Sequence, residues 1–147
     1  MVSDTVTVEL HNSNSPYALI ESKKGILNSS GAGSFSFMNP INGTPYYIVI
    51  KHRNSVETWS ASGQSFTSDI LSYDFSAAKS RAYGNNLIQV GSKWCIYSGD
   101  VNQDGVIDSG DLGLIDNDYT HYLTGTGLVS DVNGDQVVDS GDMGLTT

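Results

Sequence analysis

Apolar and polar residues alternate over Thr5-Val-Thr-Val-Glu-Leu-His11, the pattern of a strand with one buried face. Similar short runs recur at residues 17–20, 33–38 (through Phe35 and Phe37), 46–51, 56–59, 64–67, 70–75, 87–90 and 93–97. The run Tyr46-Tyr-Ile-Val-Ile-Lys51 is the most apolar and is predicted to be a central strand. Asn42-Gly43 marks a turn. Short strands with frequent turn signals predict a β-sandwich over residues 1–98. Ala77, Ala78, Lys79 and Ala82 predict one short helix around residues 76–83.

The period changes further on. Leu112, Leu114, Ile115, Tyr119, Tyr122 and Leu123 recur at three- and four-residue intervals, which predicts a one-sided helix with Gly125 as its stop. Just before it lies Asp-Val-Asn-Gln-Asp-Gly-Val-Ile-Asp-Ser-Gly-Asp, Asp100 to Asp111. The same pattern returns 31 residues later, from Asp131 to Asp142. Extended to Leu114 and Leu145, eleven of fifteen positions are identical.

Oxygen side chains fall at loop positions 1, 3, 5, 9 and 12, the spacing of an EF-hand calcium loop. Calcium takes six to eight oxygen ligands in a flexible cage, and this order of residues supplies them. In the first loop the candidate ligands are Asp100, Asn102, Asp104, the Val106 carbonyl, Asp108 and Asp111. In the second they are Asp131, Asn133, Asp135, the Val137 carbonyl, Asp139 and Asp142. Two calcium ions are expected. A solvated acidic loop without metal is the plainer alternative, and duplication in register argues against it. Ile107 and Val138, both at position 8, are expected to pair and tie the loops together. Gly105 suits the sharp turn at position 6, where the second loop has Gln136. A non-glycine residue in a left-handed turn costs about 1–2 kcal/mol, so the second site is expected to be the weaker.

Asparagine at position 3, aspartate rather than glutamate at position 12, and the two-repeat layout resemble type I dockerin repeats over residues 99–147. The resemblance implies a helix after each loop and a cohesin-like protein partner. Only Met143 to Thr147 follow the second loop, so its helix is expected to be cut short. In dockerins, positions 10 and 11 help select the partner. Here they are Ser109 and Gly110, and Ser140 and Gly141. These small residues are read instead as helix starts, with serine as the N-cap. Residues 33–53, with Gly33-Ser-Phe-Ser-Phe37 and Asn42-Gly-Thr-Pro-Tyr-Tyr-Ile-Val-Ile50, resemble a hairpin of transthyretin-like or carboxypeptidase-regulatory-like sandwiches. That implies a noncatalytic accessory domain.

Charge sharpens the division. Residues 99–147 carry ten acidic residues and no lysine or arginine; residues 1–98 carry six acidic and seven basic ones. The halves stand at −10 and +1, giving the chain's −9. Such a chain is a poor nucleic-acid binder, because phosphate contacts need lysine and arginine. No run of about eighteen apolar residues exists, so no membrane insertion is expected. No signal peptide is visible before the first strand-like run. Cys95, the one cysteine, is expected to be a small buried hydrophobe.

Lys51, His52 and Arg53, with Glu57 nearby, could form a ligand or catalytic patch. A solvated strand end is the better reading. No nucleophile–base motif, phosphate loop or zinc spacing is present, so no enzyme activity is expected. The expectation is a mainly β chain with a small α part. It would be a noncatalytic calcium-binding module of a secreted or cell-surface bacterial protein, acting in attachment or stabilisation through a cohesin-like or complementing segment. The alternative is a carbohydrate-binding module with structural calcium, in which Trp59, Trp94 and tyrosines stack on a glycan.

Overall fold

A computed structural model describes residues 3–144. Within it the chain is mainly β, with two antiparallel sheets and little helix. It divides into two compact units. One comprises residues 3–51 and 57–96; the other comprises residues 52–56 together with 97–144.

The first unit is built on β1 (Asp4–Asn12), β2 (Leu19–Leu27), the greater part of β3 (Pro45–His52) and of β4 (Ser55–Trp59), and β5 (Gln64–Ser65); residues 52 and 55–56 of these strands belong to the second unit. Their order is β2-β1-β3-β4, with β5 also on β3. The apolar run at 46–51 is therefore central, as its composition predicts. Alternation along β1 puts Val6, Val8 and Leu10 on one face, where they meet Tyr46 and Ile48 of β3. The cover over this core comes from segments without strand: Phe35 and Phe37, then Phe66, Leu71, Tyr73 and Phe75. Residues 33–38 thus alternate like a strand but join no sheet among the described residues. A side chain at Gly25 of β2 would come within 2.7 Å of the Phe35 ring, so the aromatic occupies the space that glycine leaves. Residues 70–75 likewise lack a strand, and the helix expected at 76–83 is three 3-10 turns, Phe75–Ala77, Lys79–Arg81 and Tyr83–Asn85. A separate ribbon pairs β6 (Ile88–Val90) with β7 (Lys93–Cys95). Cys95 is half-buried rather than fully enclosed.

The second unit holds α1 (Ser109–Thr120) and α2 (Ser140–Met143). Its core is small: Val101, Ile115 and Val138, with Leu123, Leu128, Val132 and Met143 around them. The stripe expected along the first helix is narrower than its spacing suggests. Ile115 alone of that set is fully buried, while Leu114, Tyr119 and Tyr122 are exposed. The helix also stops at Thr120, before Gly125. Thr120 Oγ1 donates to the Asn117 carbonyl at 2.7 Å, and His121 Nδ1 meets the same oxygen at 2.7 Å. These side chains satisfy the last-turn carbonyl that a further turn would have used. Leu145, the last position of the repeat, and the two residues after it lie outside the described residues.

Candidate metal centre

The two loops share most of their bonds, although Asp131 Oδ1 also accepts from Gly134 N at 2.7 Å. In the first, Asp100 accepts from the backbone N–H of Asp104 and of Gly105, both at 3.1 Å. In the second, Asp131 accepts from Asp135 at 3.1 Å and Gln136 at 3.0 Å. Asn102 Oδ1 accepts from Asp104 N at 2.8 Å, and Asn133 Oδ1 from Asp135 N at 2.8 Å. Asp104 accepts from Val106 N and Asp135 from Val137 N, each at 2.9 Å. Position 12 closes each loop. Asp111 Oδ1 accepts from Val101 N at 2.7 Å and Asn102 N at 3.0 Å, and Asp142 Oδ1 from Val132 N and Asn133 N at the same distances.

Position 12 also starts the helices. Asp108 and Asp139, at position 9, are the N-caps, and Asp111 and Asp142 complete capping boxes with them. The N-cap is therefore the aspartate, and serine is the first helical residue. The glycine that follows has its own reason. A Cβ at Gly110 would lie 3.0 Å from Asp108 Oδ1, and one at Gly141 would lie 2.9 Å from Asp139 Oδ1.

The backbone overturns the expected difference between the loops. Both take the left-handed conformation at positions 4 and 6. In the first loop these are Gln103 (φ 60°) and Gly105 (φ 88°); in the second, Gly134 (φ 79°) and Gln136 (φ 72°). Each loop carries one glycine and one strained glutamine, in exchanged places. Gln136 is thus no special weakness, because Gln103 bears the same cost of about 1–2 kcal/mol. The expected link between the position-8 residues also gives way. Val138 N donates to the Leu123 carbonyl at 3.0 Å, and Val137 bridges Thr124, so the second loop pairs with the chain just past α1. Ile107 lies outside the core cluster.

Four carboxylates sink deep. Asp111 and Asp142 are 0% exposed, and Asp100 and Asp131 are 2% exposed. Among the described residues no ion pair reaches them. Burial pushes the Asp100 carboxyl above its ordinary value; the Gly105 and Asp104 N–H groups oppose this, and the charges of Asp111 and Asp104 add to it. Among the described residues no group of three or more His, Cys, Asp or Glu stands together as a metal-holding cluster. The carboxylates are turned toward their own loop N–H groups. Yet each ionised carboxylate has about four acceptor positions, and Asp100 shows two in use. Asparagine and main-chain oxygens at positions 3 and 7 would complete a donor set. This is hard-oxygen chemistry, which fits calcium and not a thiolate- or imidazole-seeking metal.

The Lys51–His52–Arg53 patch separates. Lys51 belongs to the sheet unit, where Nζ stands 3.1 Å from Glu9 and 3.1 Å from Glu57. His52 and Arg53 belong to the loop unit, where Arg53 Nε donates to the Leu128 carbonyl at 2.9 Å. His11, isolated in sequence, lies 2.9 Å from Glu9 and has its ring 4.7 Å from Trp59. Trp59 neighbours Tyr47 at 5.7 Å, and Tyr47 neighbours Tyr17 at 6.0 Å. Trp59 donates its indole N–H to Glu57. Two residues that shape the loops escape sequence reading. Gln103 shows no signal, because position 4 differs between the two repeats. Asn54 is a polar residue in a turn some 45 positions upstream.

No family model, curated protein or solved structure matches this chain.

Proposed function

We propose that the loop unit binds two calcium ions and serves as a noncatalytic module of a secreted or cell-surface protein, in the manner of a dockerin. The ligands are Asp100, Asn102, Asp104, the Val106 carbonyl, Asp108 and Asp111 in one loop. In the other they are Asp131, Asn133, Asp135, the Val137 carbonyl, Asp139 and Asp142. The sheet unit is a noncatalytic accessory domain.

The observation that carries this reading is the repeated loop: matching oxygens held by largely the same backbone bonds, with four buried carboxylates and no lysine or arginine in residues 99–147. Buried like charges are costly without a counter-ion, and calcium supplies one. Bound calcium would neutralise the carboxylates and hold the loop oxygens to one centre, while the backbone N–H groups fix each side chain's orientation. A cohesin-like or complementing segment is the proposed partner class. Because strain is shared equally, Asp100→Ala and Asp131→Ala should each remove one site and cost similar affinity in calorimetric titration. A much larger loss for one of them would contradict the equivalence, and an unsubstituted chain that takes up no heat with calcium would refute the reading.

One observation favours a second reading. Strand alternation places Glu9, His11, Tyr47, Lys51, Glu57 and Trp59 on the sheet face opposite the core, with Tyr17 beside Tyr47. Aromatic rings edged by charged hydrogen-bonding groups suit a glycan, with calcium then structural. Binding on a glycan array that is lost in Trp59→Ala, while cohesin-type domains fail to bind, would favour this alternative.

A further inference from the structure

We propose that the turn at residues 52–56 is a third working part of the calcium module, with Asn54 as the residue that positions both loops. The inference rests on the calcium reading above.

Asn54 is 1% exposed. Its Nδ2 donates to the Val129 carbonyl at 3.0 Å and to the Asp131 carbonyl at 2.9 Å. Two carbonyl acceptors on one side settle the amide's orientation. Asn54 Oδ1 is buried without a partner among the described residues. An unpaired buried oxygen is destabilising, so the nitrogen's two bonds are what this side chain contributes. Its backbone carbonyl accepts from Gly99 N at 2.7 Å, the residue before Asp100.

The neighbouring residues extend the link. Ser55 bridges Ser98, and Val56 N donates to the Tyr97 carbonyl at 2.9 Å. Ser98 Oγ donates to the Val132 carbonyl at 3.3 Å. Gln103 Nε2 donates both to the Asp100 carbonyl at 2.6 Å and to the Ser55 carbonyl at 3.3 Å. The first ligand residue of each loop is therefore tied to one five-residue turn: Asp131 through Asn54, and Asp100 through Gln103 and Ser55.

Ordering either loop holds this turn in place and removes part of the entropy the other loop must lose. The two sites then fill cooperatively, without any change of shape. Gln103 acquires a purpose here: it accepts left-handed strain at a position where Gly134 serves in the other loop, and gains the two bonds to the turn.

The test uses the full chain and calcium alone. The unsubstituted chain should titrate with two ions, more steeply than independent sites. Calcium should also slow hydrogen exchange at the Val56 and Gly99 amides. Asn54→Asp keeps the side chain's size but sets carboxylate oxygen against two carbonyls. It should weaken calcium binding by about tenfold or more, the scale of the two hydrogen bonds lost, and make the sites independent. Gln103→Ala retains the backbone strain and removes only the side-chain link from the Asp100 carbonyl to the turn; it too should reduce the cooperativity. Should Asn54→Asp fail to fold, Gln103→Ala decides the matter alone. Unchanged affinity and steepness in the variants, with exchange at Val56 and Gly99 indifferent to calcium, would overturn the proposal. No binding by the unsubstituted chain would overturn the calcium reading itself, and this inference with it.

Discussion

Glu9 shows how one buried charge is held in the sheet unit. Burial acts to raise its carboxyl, but hydrogen bonds and charge from His11 and Lys51 outweigh that and hold it below the usual glutamate value of 4.5. A carboxylate whose folded value is depressed contributes stability that is present above its unfolded value and lost as pH falls through the folded one. The contribution of Glu9 should therefore be intact at neutral pH and disappear as the solution is taken below about 4.5. An NMR titration of the Glu9 carboxyl should give a midpoint below 4.5. A midpoint at or above it would show that burial wins. The loop residues follow a different logic: Asp111 and Asp142 each close a loop and cap a helix, so their places are set by local backbone bonds. That is why the acidic loop pattern was legible in the sequence: the backbone N–H partners of the Asp100, Asp111, Asp131 and Asp142 carboxylates all lie within twelve residues. Asn54 was not legible, because its partners are Val129 and Asp131.

At the scale of elements, β1 and β3 declare themselves because each has one face in the core, which writes alternation into the sequence. The greater part of β2 is silent. Glu21-Ser-Lys-Lys-Gly25 lies on an outer strand and pairs with β1 alone, so no apolar pattern is imposed on it. Residues 33–38 mislead in the opposite direction. Phe35 and Phe37 are spaced as in a strand, but they serve as a cover over β1 and β2. Gly25 makes that cover fit. Gly25→Val should force the Phe35 ring away and destabilise the sheet unit by about 1–3 kcal/mol, the cost of overpacking a core. Denaturant unfolding followed by near-ultraviolet dichroism would read the loss; unchanged stability would show that the ring moves aside freely. The first helix was legible near its start, although its cap is Asp108 and not the serine that the sequence suggested. It was not at its end, where Thr120 and His121 take the Asn117 carbonyl.

Over the whole molecule the division of charge follows the division of structure only approximately. The boundary expected after residue 98 falls near residue 97, but the loop unit also takes in residues 52–56. A contact between segments so far apart leaves no periodic trace in the sequence. On the proposed calcium reading, the small core of Val101, Ile115 and Val138 and the four buried carboxylates should make the loop unit depend on the ions. Chelation should then release the amides of residues 97–144 to exchange before those of β1 and β3, and equal protection in both units without calcium would refute that dependence. Among the described residues no helix is long and apolar enough to cross a membrane. The central claim is that each repeat holds one ion. Native mass spectrometry of the full chain in calcium acetate tests it most directly. Two calcium ions per chain, retained at low micromolar concentration and removed by chelator, are predicted; a chain that keeps one ion, or none, would contradict the account.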